Sequence, residues 1–140
     1  MKKILFTICM AIVMFAVSGC KKDVHMSVSY YTVEQNKWLT SNNLDYYYAA
    51  YENIDITKRV MENGCVSVYR VDADGRDNPL PCEIFRSWDN NGTTNYYSDN
   101  FSYDVEPGVI TFKFQSSDFS TNQSVSTLGN VVFKVCVFEN

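Results

Sequence analysis

The chain contains a single histidine, His25, and this limits the chemistry that its side chains can perform. A Ser-His-Asp triad, a Cys-His pair and a zinc site with several imidazole ligands would all have to be built on that one residue. We therefore predict a non-enzymatic protein with a binding or structural role, with no catalytic residue, no metal site and no cofactor. A hydrolase that uses two carboxylates stays open as an alternative, because it depends on a spacing across a cleft that a sequence does not display.

A group of mostly polar residues has the spacing of a calcium-binding loop. The odd positions and the twelfth position of such a loop would be Asp72, Asp74, Arg76, Asn78 and Glu83. The sixth position of a calcium loop needs glycine and the fifth supplies an oxygen ligand, whereas this chain has Asp77 and Arg76 there. We interpret the segment as a polar hairpin connection and predict no calcium site.

Aromatic residues form 15% of the chain and are a third candidate for chemistry. The relevant side chains are Trp38, Tyr46, Tyr47, Tyr48, Tyr51, Trp88, Tyr96, Tyr97 and Tyr103. Consecutive tyrosines in a strand point to opposite faces, so some of them must be exposed. Exposed tyrosine and tryptophan on a sheet can stack on sugars or anchor a protein partner, but tyrosine also packs well on a pleated surface without any ligand. A glycan or a protein is therefore a candidate partner, and the sequence does not assign the binding residues.

The charge balance argues against nucleic acid as a partner. Twelve Lys and Arg stand against sixteen Asp and Glu, and the formal net charge is −4 with a pI of about 4.9. Nucleic-acid-binding domains need a basic surface. We predict no nucleic-acid partner.

The first twenty residues have the order of an export signal. Lys2 and Lys3 precede an uncharged, almost wholly apolar run at residues 4–17, and the small pair Ser18-Gly19 leads into Cys20. Fourteen residues are fewer than the roughly 20 that cross a bilayer core as a helix, so a permanent transmembrane helix is disfavoured.

The run Val17-Ser18-Gly19-Cys20 resembles the lipobox of bacterial lipoproteins. That resemblance implies that the signal, residues 1–19, is cut before Cys20 and that Cys20 carries acyl chains such as palmitate into membrane lipid. Residues 20–23 would then be the acylated cysteine and a short linker, and residues 24–140 the domain. In similar lipoproteins an aspartate after the cysteine favours the inner membrane; Lys21 stands there, so we predict the outer membrane and leave the side it faces open.

Three cysteines remain in the predicted domain after Cys9 leaves with the signal and Cys20 carries lipid. These are Cys65, Cys82 and Cys136. A Cys65–Cys82 bond is disfavoured, because the two would lie at opposite ends of a predicted hairpin. Cys136 could neighbour either one, so a disulfide stays open. We expect buried and inert cysteines, since no histidine partner is at hand to activate a thiol.

From Val24 onward the apolar residues repeat with period two, which predicts strands. The candidate strands are residues 24–33, 38–40, 45–51, 64–71, 80–88, 94–105, 108–115 and 131–138. Seven or eight short strands predict an all-β fold, an antiparallel β-sandwich, with a small barrel as the alternative. One short helix is expected from a cap at Asp55 through Met61, ending at Asn63-Gly64.

Turn residues and alternation refine this prediction. Residues 64–71 and 80–88 are expected to pair as a hairpin around the polar loop 72–79, and Glu106-Pro107-Gly108 is expected to form a tight turn. The polar stretch 116–129 is expected to be a mobile loop or a frayed connection. The residues predicted to point inward are Ile110, Phe112, Phe114, Val131, Phe133, Val135 and Val137, with Lys113 and Lys134 outward.

Several segments come in an order that resembles one family of small Bacteroidetes lipoproteins. They are Trp38, residues 56–69, Leu80-Pro81-Cys82, residues 101–112 and residues 133–138. Some members of that family carry collagen-like Gly-x-y repeats between the lipid anchor and a β-rich C-terminal domain, whereas this chain has no such stalk. The resemblance implies a lipid-anchored β-domain and brings no activity with it.

Overall fold

The computed structural model describes residues 24–41, 46–117 and 128–139. The predicted signal, Cys20 and the linker up to Asp23 lie outside these residues. Nine strands and one α-helix follow one another along the described chain. The strands are β1 (His25–Val33), β2 (Leu39–Thr40), β3 (Tyr47–Glu52), β4 (Cys65–Val71), β5 (Asp77–Pro79), β6 (Cys82–Asn90), β7 (Thr93–Glu106), β8 (Val109–Ser116) and β9 (Val131–Glu139), and the helix is α1 (Lys58–Asn63).

The strands form two antiparallel sheets, which confirms the predicted sandwich and makes the barrel alternative wrong. One sheet has the order β1-β9-β4-β5 and the other has the order β2-β3-β8-β7-β6. The count exceeds the predicted seven or eight because β5, only three residues long, lies inside the segment interpreted as a loop.

The chain changes sheets after β5, and this corrects the hairpin predicted around residues 72–79. Val71 does pair with Asp77 and Tyr69 with Pro79, so the turn itself forms. The next strand, β6, pairs instead with β7 in the other sheet. The Leu80 N–H still donates to the Val68 carbonyl at 2.9 Å, but the next residue, Pro81, has no N–H that could continue the ladder along β4.

The core lies between the two sheets and confirms the predicted inward faces. Phe112 of β8 and Phe133 of β9 stack with ring centroids 4.1 Å apart and an interplanar angle of 6°. The inward positions that were predicted are all buried, namely Ile110, Phe112, Phe114, Val131, Phe133, Val135 and Val137. The outward lysines are half-buried: Lys113 pairs with Asp104, and the Nζ of Lys134 lies 2.5 Å from a carboxylate oxygen of Asp77.

The helix α1 forms where it was expected but begins later, which corrects the predicted cap. Thr57, not Asp55, is the N-cap, and its side-chain oxygen accepts a hydrogen bond from the Val60 N–H at 3.1 Å. Asp55 lies two residues earlier, where its own N–H donates to the side chain of Asn53. Val60 is buried, so this short helix closes one end of the core.

The structure confirms the predicted turn before β8 and corrects the predicted start of the loop after it. Pro107 and Gly108 form the two-residue turn between β7 and β8, and Gly108 has a φ of +83°, which suits glycine at the second central position of a type II turn. Within the polar stretch 116–129, Ser116 belongs to β8 and is buried, which corrects the start of that loop. Residues 118–127 lie outside the described residues.

Three tyrosines connect the sheets by hydrogen bonds. Tyr31 of β1 donates its hydroxyl to the carbonyl oxygen of Glu52 at 3.2 Å, and Tyr51 of β3 donates to the carbonyl of Thr32 at 3.4 Å. The two rings lie 5.3 Å apart. Tyr103 of β7 donates to a main-chain carbonyl of β4 at 3.1 Å. These tyrosines therefore belong to the packing of the sandwich.

Alkaline conditions are expected to weaken the fold through these three tyrosines. Burial raises the pKa of Tyr31, Tyr51 and Tyr103 above the ordinary value of 10.0. Above about pH 10 the unfolded chain loses phenolic protons that the folded chain keeps, so the free energy of unfolding falls as pH rises. Denaturant unfolding between pH 9 and 11 should show this slope, and the triple Tyr→Phe variant should show a shallower one. Equal slopes in the two proteins would contradict the prediction.

Candidate binding surface

The longest exposed feature is the hairpin of β6 and β7. Its strands pair from Cys82↔Phe101 to Asn90↔Thr93, and the turn between them is Asn91-Gly92. Both turn residues have positive φ, +50° and +83°. This is the type I′ turn that Asn-Gly favours, because its twist matches that of the two strands. Asn91-Gly92 lies between the candidate strands 80–88 and 94–105, and this dipeptide is the feature of the sequence that could have predicted the hairpin.

The outer face of the hairpin carries two exposed aromatic side chains. Phe85 is 80% exposed and Tyr96 is 81% exposed. They lie diagonally across the strand pair, since Phe85 is opposite Ser98 and Ser87 is opposite Tyr96. A shallow hollow of about 200 Å³ lies at this place, lined by Phe85, Tyr96, Tyr97, Ser98 and Ser117. We call these five residues the aromatic groove.

The floor of the aromatic groove is held by hydrogen bonds between β7 and the end of β8. The Ser98 N–H donates to the Ser117 hydroxyl at 2.8 Å, and the Ser117 N–H donates to the Ser98 carbonyl at 2.8 Å. Ser98 itself is buried. The two aromatic rings therefore stand on a backbone that is fixed from both sides.

The opposite face of the hairpin is fixed by an ion pair. The Arg86 Nε lies 3.0 Å from a carboxylate oxygen of Asp99, and the Asp99 side chain is almost fully buried. Trp88 lies on the same face as Arg86 and is exposed. On the face of Phe85 and Tyr96, near the tip, the Thr94 hydroxyl donates to the Asp89 carboxylate at 2.7 Å. The hairpin thus presents aromatic side chains on both of its faces.

The aromatic residues singled out from the sequence have several different environments. Trp38 and Tyr47 are buried in the core, and Tyr51 and Tyr103 connect the sheets. The half-buried set is Tyr46, Tyr48 and Tyr97. Trp88 and Tyr96 are exposed, as the binding hypothesis requires. Phe85 was missed, although Glu83 and Ser87, the residues two positions away on the same face of the strand, are polar and were a signal of exposure.

The aromatic groove can hold a flat apolar surface and cannot enclose a ligand. Its volume of about 200 Å³ is smaller than that of the usual drug-sized pocket, roughly 300–1,000 Å³. The five residues that line it include no charged side chain. Aromatic faces that stand beside hydroxyl groups suit the ring of a sugar or an apolar side chain of a protein.

The loop with calcium-like spacing folds around its own carboxylates. Asp72 accepts hydrogen bonds from the Asp74 N–H at 3.0 Å and from the Arg76 N–H at 2.8 Å. The bond from Arg76 is the main cause of the lowered pKa of Asp72. Asp74 pairs with the Arg76 guanidinium at 2.6 Å, and Glu83 lies on β6 in the other sheet. Among the residues that the structure describes, no group of three His, Cys, Asp or Glu side chains is placed to hold a metal ion.

The three cysteines are free and lie in different environments. Cys136 is buried on β9, as expected, and Cys82 is half-buried on β6, where desolvation raises its pKa. Cys65 on β4 is exposed, which corrects the expectation that it is buried. Cys65 and Cys82 belong to different sheets, so the hairpin argument against their bond was based on the wrong pairing.

His25, the single histidine, begins β1 and is exposed. No helix in the described part of the chain is long and apolar enough to cross a membrane.

Comparisons with known proteins find no matching family model, no matching curated protein and no matching solved structure. The resemblance to Bacteroidetes lipoproteins stays a prediction.

Proposed function

We propose that this protein is a lipoprotein of the bacterial cell envelope, anchored in the outer membrane by acyl chains on Cys20, whose β-sandwich binds a partner without catalysing a reaction. The observation that carries the proposal is the order of Lys2-Lys3, the apolar run 4–17, Ser18-Gly19 and Cys20. The sandwich begins at β1, only five residues after Cys20. Anchor and domain therefore follow one another with almost no spacer.

The physical strength of such an anchor is large. Each buried methylene contributes about 0.8 kcal/mol, and two acyl chains hold a protein on a membrane stably where one does so only marginally. Flotation of the full chain, expressed in a bacterium with an outer membrane, tests the anchor. The protein is expected to rise with the outer-membrane fraction and to stay there after an alkaline carbonate wash. Recovery in the soluble periplasmic fraction would contradict the proposal.

The partner class that the geometry favours is a glycan, bound at the aromatic groove. The observation that favours it is the pair Phe85 and Tyr96, two rings about four-fifths exposed on one face of a fixed hairpin. Exposed apolar side chains that lie together mark binding surfaces, and aromatic side chains dominate the energy of many interfaces. A protein partner that uses the same rings is the other candidate.

Alanine at Phe85 or Tyr96 is expected to weaken glycan binding at least about tenfold, the equivalent of ~1.4 kcal/mol, because each substitution removes a stacking face. The measurement is binding of the purified domain, residues 24–140, to an array of neutral and acidic oligosaccharides. Tyr30→Ala is the matched control, since Tyr30 is an exposed tyrosine on the other sheet. If no oligosaccharide on the array binds specifically, the glycan proposal is contradicted and a protein partner remains the candidate. If Tyr30→Ala weakens binding as much as the substitutions at Phe85 and Tyr96, the aromatic groove is not the binding site.

A further inference from the structure

The end of the sandwich where β1 begins carries a group of exposed apolar side chains. They are Val24, Met26, Ile54 and Met61, and Ile54 is 86% exposed. None of the four is aromatic, in contrast to the hairpin. We call this group the anchor-side end.

Contacts between β1, β9 and the segment before β4 bring these residues to one end. His25 pairs with Glu139, and the Arg59 Nε of α1 lies 3.1 Å from a carboxylate oxygen of the same Glu139. A hollow of about 110 Å³ joins the start of β1 to the loop before α1, with His25, Ser27, Ile54 and Asp55 among its lining residues. Ile54 therefore protrudes beside the first residues of β1.

The inference rests on the anchor proposed above. Because only a short segment separates Cys20 from β1, that anchor places the anchor-side end next to the membrane. Val24 is four residues from Cys20. Four residues reach at most about 14 Å when fully extended. If Cys20 is acylated in the membrane, Val24 and its neighbours are held within that distance of the lipid surface. Among the residues that the structure describes, Val24 is the nearest to Cys20 along the chain.

We propose that the anchor-side end contacts the bilayer directly, with Val24, Ile54 and Met61 inserted among the lipid headgroups and upper acyl chains. Exposed apolar side chains that are grouped on one part of a surface mark a place of contact with a membrane or a partner. The charges at this end are mixed, since Lys58 and Arg59 stand among Asp55, Glu62 and Glu139. The contact is consequently apolar, and it forms on zwitterionic lipid.

This contact fixes the direction of the hairpin. The Gly108 N–H donates to the Ile56 carbonyl at 2.7 Å, so the turn that follows β7 lies beside the anchor-side end. Tyr96 is ten residues up β7 from Glu106, which is about 33 Å at ~3.3 Å per residue. The aromatic groove is therefore held away from the membrane, open to a partner.

Tryptophan fluorescence in brominated lipid tests the contact. Ile54→Trp is placed in the full acylated chain, in vesicles of phosphatidylcholine with brominated acyl chains, and the matched control is Phe85→Trp at the 80% exposed position in the groove. The added emission of Ile54→Trp is expected to fall at least twofold relative to unbrominated vesicles, and that of Phe85→Trp to stay unchanged. The unsubstituted protein gives a second readout without any variant, because its two tryptophans, Trp38 in the core and the exposed Trp88 on the hairpin, should not be quenched.

Each outcome decides between the two proposals. A protein that does not float with the vesicles overturns the anchor and this contact together. A protein that floats but shows equal quenching of both variants, quenching of Phe85→Trp alone, or quenching of neither overturns the contact and leaves the anchor. Quenching of the tryptophan emission of the unsubstituted protein also overturns the contact.

Discussion

Replacing Phe112 by alanine is expected to destabilise the domain by about 3–5 kcal/mol. The side chain is fully buried, and its ring stacks on Phe133 at 4.1 Å between centroids. The rings of Tyr31 and Tyr51 lie 5.7 Å and 6.0 Å from it, so the cavity would open at the centre of the contact between the sheets. A loss of this size is a large fraction of the ~5–15 kcal/mol that holds a typical domain folded.

The neighbouring Lys113→Ala is the matched control, because Lys113 lies on the same strand with its side chain on the outer face. It pairs with Asp104, and its Nζ lies 5.3 Å from the centre of the Tyr46 ring. Exposed ion pairs contribute about 1 kcal/mol or less, so the expected loss is small. Denaturant unfolding of both variants measures the difference. Equal losses, or a larger loss for Lys113→Ala, would show that the faces of β8 are assigned wrongly.

Replacing Cys20 by alanine is expected to abolish acylation of the full chain and its recovery with the outer membrane. The acyl chains would have no other thiol at the cleavage position, and the precursor would be poorly processed. The measurement is the fraction of protein that floats with membranes, followed by the size of the chain on a gel. Cys65→Ala is the control, since Cys65 is an exposed thiol in the folded domain, and it should float like the unsubstituted protein. A Cys20→Ala protein that is correctly cut and still membrane-bound would refute the anchor.

The positions of most strands could be predicted because their signals are local. Alternation predicted 131–138 where β9 runs Val131–Glu139, and Pro107-Gly108 predicted the turn that starts β8. Both depend on neighbours in the chain, which a sequence displays. The same holds for the inward face of β8, because a lysine on one face leaves only the other face for the core.

The pairing of strands could not be predicted to the same degree, because it depends on distant segments. The polar loop before Pro79 is typical of a hairpin, yet β6 pairs with β7 rather than with β4.

The exposure of the aromatic side chains could not be predicted either. Alternation shows that adjacent tyrosines point to opposite faces, but only the packing of the sheets shows that Tyr47 is buried and that Tyr96 is exposed.

In β1 the sequence pattern also does not show which face is buried. Met26, Val28 and Tyr30 form its more apolar face, and this face is exposed. Ser27 and Ser29 share the inward side with the buried Val33. The inner side of the start of β1 meets the polar segment around Asp55, as the shared hollow shows. The polar serine side chains suit a contact with this polar segment, and the apolar residues of β1 lie on its outer face.

The mass of the intact protein extracted from membranes tests the central claim most directly. The account predicts a chain whose first residue is Cys20, heavier than its amino acids by a glyceryl group and two or three acyl chains. Fragmentation should place the added mass on Cys20. A chain that keeps residues 1–19, or one that is cut without added lipid, would contradict the claim that this sandwich is anchored to the membrane at its first strand.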